Sequence, residues 1–148
     1  MAGRIAVTVD GTPASDAALQ RAVEMAREDG GILTGVFVID SGWADFIGND
    51  WQSSRNARQG FLDYMLQEQE RQAEAARRQF NAATLEVAGA HFVLLAGDPA
   101  DTLVRMMATG STDVLVTGKH VFQACGRPSV KTLAKTLSRK VRQPVLVL

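Results

Sequence analysis

Ile5-Ala6-Val7-Thr8-Val9-Asp10-Gly11-Thr12 is the stretch that decides the fold. Its first five residues form the short, apolar, β-branched run expected of a buried parallel strand. The strand stops at a carboxylate and a glycine, and Thr12 then stands ready to cap a helix with Pro13 at its first position. In open α/β sheets ligands bind at such carboxyl ends, at the point where the strand order reverses. A second run, Val114-Leu115-Val116-Thr117-Gly118, ends the same way, and the two ends side by side would frame a nucleotide-sized cleft.

Working outward, Ala18, Leu19, Ala22, Val23 and Ala26 recur at helical spacing up to Gly30-Gly31, and Ile32 to Ile39 reads as the second strand. Ser41 to Arg58 is a polar, irregular stretch carrying Trp43, Phe46 and Trp51, aromatic residues expected to close a core or a dimer surface. A long helix is expected from about Asn56 to Ala88, with Phe61, Met65, Ala73, Ala76 and Phe80 on one side. The third strand is His91 to Ala96, and Gly97-Asp98-Pro99 opens a helix that runs to Thr109. After the strand Val114 to Gly118 comes a loop to Pro128. A helix then spans about Ser129 to Arg142, with Val130, Leu133, Leu137 and Val141 inward and Lys131, Lys135 and Arg139 outward. Pro144 ends it before a terminal strand, Val145 to Leu148. Strands alternating with helices predict an α/β domain with a parallel sheet of five strands, four helices and right-handed crossovers.

Length and composition bound the function. At 148 residues the chain reads as one domain, 1–148, with 46% hydrophobic and 22% charged residues, both globular values. The single cysteine, Cys125, excludes an internal disulfide framework and fits a reducing compartment. Met1 to Arg4 leads into a strand without a signal-peptide core, and no apolar run is long enough to span a membrane, so a soluble, cytoplasmic protein is expected. Net charge is zero but uneven: all 16 acidic residues lie at or before Asp113, while Lys119, Arg127, Lys131, Lys135, Arg139, Lys140 and Arg142 follow. That asymmetry suits a polyanion or an acidic partner, or simply a solvated helix face whose cations offset the helix dipole. His91 and His120 lack companions at metal-ligand spacing, and no nucleophile elbow or Walker loop is present.

Val7-Thr8-Val9-Asp10-Gly11-Thr12, the Gly97-Asp98-Pro99 turn, Asp113 to Gly118 and the final Pro144 to Leu148 occur in an order and spacing that resemble the universal stress protein family over nearly the whole chain. The resemblance implies a doubly wound sheet ordered 3-2-1-4-5 and a homodimer joined through the strand Val145 to Leu148. An apolar terminal edge strand needs such a cover on physical grounds as well. In members that bind ATP, a loop written Gly-x2-Gly-x9-Gly-Ser/Thr follows the fourth strand and cradles phosphates. Gly118 matches its first position, but Val121 and Lys131 replace the other two glycines, and Thr132 keeps the final hydroxyl. The chain therefore looks like the branch that does not bind ATP.

Two readings follow. One is a dimeric, non-catalytic protein of the stress response, acting through binding. The other is an ATP- or AMP-binding regulatory module, with Mg²⁺ beside the phosphates and at most weak ATPase activity. Its candidate site comprises Asp10, Gly11, Thr12, Val38, Gly97, Gly118, Lys119, Ser129, Lys131 and Thr132. Here Lys119, Arg127, Ser129, Lys131 and Thr132 would compensate for the lost glycines as donors to an anion. Asp10 has its own pair of readings, beside a nucleoside or in an Asx turn that bonds the next loop. Gly11 and Gly97 read as turn glycines first. No nucleic-acid partner is expected.

Overall fold

The computed structural model describes residues 3–49 and 55–148. Five parallel strands form one sheet: β1 (Arg4–Thr8), β2 (Ile32–Asp40), β3 (His91–Gly97), β4 (Val114–Thr117) and β5 (Val145–Val147), in the order β3-β2-β1-β4-β5. Chain direction across the sheet reverses between β1 and β4, the switch point. Helices α1 (Asp16–Asp29) and α3 (Arg55–Ala83) pack together over β1, β2 and β4, while α4 (Pro99–Ala108) and α5 (Leu133–Lys140) pack together over the opposite face.

The helices form where periodicity and caps agree. Ala18, Leu19, Ala22, Val23 and Ala26 are all buried on α1, and Gly30 closes it in the left-handed conformation at φ 66°. Asp98 caps α4 by accepting the Asp101 N–H at 3.0 Å, with Pro99 at the first position. Val130, Leu133, Leu137 and Val141 are buried as their spacing predicts. On α3, Phe80 is 1% exposed and its ring lies where a side chain at Gly35 would stand, so helix and β2 meet backbone to ring. Burying that ring contributes about 2–3 kcal/mol.

Four local expectations change. Thr12 caps a 3₁₀ turn, Pro13–Ser15, rather than α1 itself. Pro128–Thr132 is likewise a 3₁₀ turn, so the last helix begins only at Leu133, and the long helix ends at Ala83 rather than Ala88. The stretch expected to be irregular contains a fifth helix, α2 (Trp43–Ile47), between Gly42 and Gly48. Trp43 meets Phe46 and Phe61 edge-on at 5.6 and 5.9 Å, so two of the three aromatic residues pair, although Phe46 remains 55% exposed. Trp51 lies outside the described residues.

Candidate functional site

The floor of the switch point is a buried hydroxyl pair, Thr8 Oγ1 and Thr117 Oγ1, 2.8 Å apart and joining β1 to β4. Just above it Asp10 is 1% exposed, and the chain itself supplies donors to both carboxylate oxygens. Oδ1 accepts from the Thr12 N–H at 2.9 Å, the Thr12 hydroxyl at 2.7 Å and the Ser15 hydroxyl at 2.8 Å. Oδ2 accepts from the Phe122 N–H at 2.9 Å. Asp10 thus closes an Asx turn and ties down the loop that follows β4.

That loop fills the crevice. Val121 is 1% and Phe122 4% exposed, and the Phe122 ring stands edge-on to Phe37 at 5.4 Å. Phe122 alone among the described non-glycine residues has positive φ, 66°, a conformation that costs a side-chain-bearing residue about 1–2 kcal/mol. The hydrogen bond to Asp10 and the buried ring offset that strain. Val38 lies beneath the same loop, lining a cavity of about 10 Å³ with Phe37, Asp40, Gln72 and Phe122. Such a space holds at most one water.

The loop is latched at its far end. Arg127 Nε donates to both oxygens of Asp40, at 2.7 and 2.9 Å, and its Nη2 donates to Asp98 Oδ1 at 2.6 Å. The Asp40 side chain is only 2% exposed and that of Arg127 only 16%. Hydrogen bonds and charge from Asp40, with a smaller part from Asp98, hold the guanidinium proton more tightly than usual. Gln69 of α3 completes the knot, accepting from the Asp40 N–H at 2.6 Å and donating to the Asp40 carbonyl at 3.1 Å. The Trp43 Nε1–H reaches the Cys125 carbonyl at 3.2 Å. Strand ends β2 and β3, helix α2 and the loop are therefore one hydrogen-bonded unit. Burial, and more weakly the Glu68 charge, push the Cys125 thiol up, so it is a poor nucleophile.

The candidate residues divide between two places. Asp10, Gly11, Thr12, Val38 and Gly118 surround the filled crevice. Gly11 has φ 81°, and a side chain there would strike Ala75 and Ala76 of α3; one at Gly118 would strike the Ala14 carbonyl. Both glycines answer to close packing. Gly97 stands at the end of β3, two strands from β1, where its carbonyl accepts the Ser41 N–H at 3.2 Å. Ser129 and Thr132 instead line a cleft of about 140 Å³ beside Asp98 and Thr136, and Thr132 donates to the Ser129 carbonyl at 3.0 Å. Lys119 and Lys131 are exposed. Arg127 does not supply a donor for an anion as expected, because its guanidinium is committed to two carboxylates. Asp40, Gln69 and Phe122 were not among the candidates, although an Asp at the end of β2 and another after β3 necessarily face the loop leaving β4. Among the described residues no three His, Cys, Asp or Glu side chains gather to hold a metal. At the switch point Val121 and Phe122 are buried against the sheet, and the Phe122 backbone is bonded to Asp10.

Comparison with known proteins gives this geometry its context. No curated protein matches in sequence. Among solved structures, the universal stress protein UspA from Lactobacillus plantarum superposes with a TM-score of 0.73 at 20% identity, covering 100% of this chain and 99% of that one. A universal stress protein from Archaeoglobus fulgidus in complex with dAMP gives 0.64 at 17% identity, covering 98% and 96%. One from Arabidopsis thaliana with AMP bound gives 0.59 at 17%, covering 99% and 90%. At these identities the likeness is one of fold. The family profile goes further, matching residues 1–148, and the chain belongs to the universal stress protein family.

Proposed function

We propose that this chain is a non-catalytic, dimeric universal stress protein that serves the stress response by binding a partner rather than by turning over a substrate. The observation that carries this reading is the crevice between β1 and β4. Its space is taken by Val121 and Phe122, and both oxygens of its carboxylate are bonded within the chain. Among the described residues the carboxylate there, Asp10, is bonded within the chain rather than open to a substrate. Dimerisation through the strand Val145 to Leu148 is supported by the outer edge of β5, where Leu146 and Leu148 are 37% and 38% exposed. A cytoplasmic setting belongs to the same proposal, and no described helix is long and apolar enough to cross a membrane.

Calorimetric titration with ATP, with and without Mg²⁺, tests the reading, alongside the mass in solution by light scattering. The expected outcome is a dimer that shows no saturable heat up to millimolar ATP. Saturable binding that weakens in Lys131→Ala, an exposed side chain whose loss leaves the fold alone, would replace this reading with the second one. That second reading is an ATP- or AMP-binding regulatory module with at most weak ATPase activity. What favours it is the AMP and dAMP bound in the Arabidopsis and Archaeoglobus proteins. In this chain it requires the loop bearing Phe122 to leave the crevice.

A further inference from the structure

At the opposite end of the sheet, where β4 and β5 begin, α4 and the segment leaving α5 enclose a groove of about 390 Å³. Its floor is apolar: Val104, Met107 and Ala108 form one stripe of α4, and Val141 faces them. Lys140 and Arg142 stand at its mouth, both exposed. We infer that this groove receives an acidic segment of a partner protein, one large apolar side chain entering between α4 and α5 while its carboxylates meet Lys140 and Arg142.

The charge at the mouth exceeds what the fold itself needs. A helix terminus carries about half a unit of negative charge, and the last turn of α5 already supplies Arg139 and Lys140 to offset it. Arg142 lies beyond the helix. The carbonyls at the end of α4 are capped: Met107 O accepts the Gly110 N–H at 3.2 Å and Gln143 Nε2 at 2.6 Å, and Gln143 also reaches the Thr112 carbonyl at 3.1 Å. Ion pairs among the described residues engage Arg4, Arg21, Arg27, Arg71, Arg77 and Arg127, and none engages a cation of α5 or Arg142. From Lys119 to Leu148 the sequence has no carboxylate side chain to supply one locally.

The same observations select the chemistry of the occupant. An apolar floor rewards a buried side chain, as in grooves that take amphipathic segments, and cations at the rim set orientation and association rate. A phosphate backbone would meet the same cations but gain nothing from the apolar floor, which is what favours a peptide here. The inference rests on the reading of this protein as a binder. It stands apart in its test, because the groove and the Asp10 crevice lie at opposite ends of the strands.

The experiment is an amide NMR titration of the intact protein with a library of blocked peptides in which Glu and Asp flank a central Leu, Ile, Phe or Trp. Two matched libraries place Ser at the centre, or Lys for the acids. The acidic library should shift Val104, Ala108, Val141 and Gln143 and saturate below millimolar concentration. The Ser-centred library should bind at least fivefold more weakly, and the Lys library should leave these signals in place. Lys140→Glu and Arg142→Glu, both surface changes, should each weaken binding at least fivefold. The inference is overturned if the groove signals do not move at millimolar acidic library, or if the Ser-centred library binds as well. A single-stranded oligonucleotide of equal charge that binds more tightly on this face would also overturn it. Loss of the groove result without ATP binding would remove this surface and leave the binder reading; ATP binding would remove the reading itself.

Discussion

The carboxyl ends of the strands and their amino ends handle charge in contrary ways. Above the sheet, Asp10, Asp40, Asp98 and Arg127 are all engaged by neighbours, and an aromatic ring fills what space is left. Below it, Lys140 and Arg142 flank an open apolar floor, without ion-pair partners among the described residues. Topology alone directs a ligand to the upper end. In this chain that end is bonded within the protein, and the groove proposed to take an acidic partner lies at the other end.

Mutations can break the contrast. The largest effect is expected for Arg127→Ala, which leaves the Asp40 carboxylate uncompensated at 2% exposure and should lower unfolding free energy by about 4 kcal/mol in urea titrations. An effect below about 1 kcal/mol would mean that the upper end is no more committed than the lower. Asp10→Ala strips partners from the Ser15 hydroxyl and the Phe122 N–H and should lose about 3 kcal/mol by the same measurement. A sharper test compares two truncations of Phe122. Glycine accepts φ 66° freely, so Phe122→Gly should be more stable than Phe122→Ala by about 1 kcal/mol, the reverse of the usual order. Equal stabilities would deny the strain. At the lower end, Lys140→Glu, in the last turn of α5, should cost about 1 kcal/mol or less and Arg142→Glu should stay within about 0.5 kcal/mol of the parent, since neither cation has an ion pair among the described residues.

The frame of this molecule was legible from local pattern. The strand ends at Asp10-Gly11 and Thr117-Gly118, the periodicity of α1 and the buried stripe Val130, Leu133, Leu137 and Val141 need only neighbouring residues to be read. The latch was not. Arg127 meets Asp40 and Asp98 across 87 and 29 residues, and nothing in the local composition distinguishes a cation that will be buried from Lys131, which stays in water. Replacement of the loop glycines signalled that the crevice had changed, and Val121 and Phe122 do occupy it. The left-handed backbone at Phe122 carried no signal, because phenylalanine has no preference for it. The helix α2 escaped because five residues between two glycines give too little periodicity to count.

The turn at Gly11, packed against α3, has a consequence in time as well as in space. Gln79 of α3 accepts the Gly11 N–H at 3.0 Å and donates to the Thr12 carbonyl at 3.0 Å and to Asp16 at 2.7 Å. The turn after β1 thus acquires hydrogen bonds from a helix 63 to 68 residues later. Phe122 closes the other side across 112 residues. Closing such long loops precedes any reward from the contacts they bring, so this end of the sheet is assembled late and non-locally. β1, synthesised before the other four strands of this sheet, is then among the last to be finished, and a nascent chain stopped short of α3 holds Gly11 without its clasp.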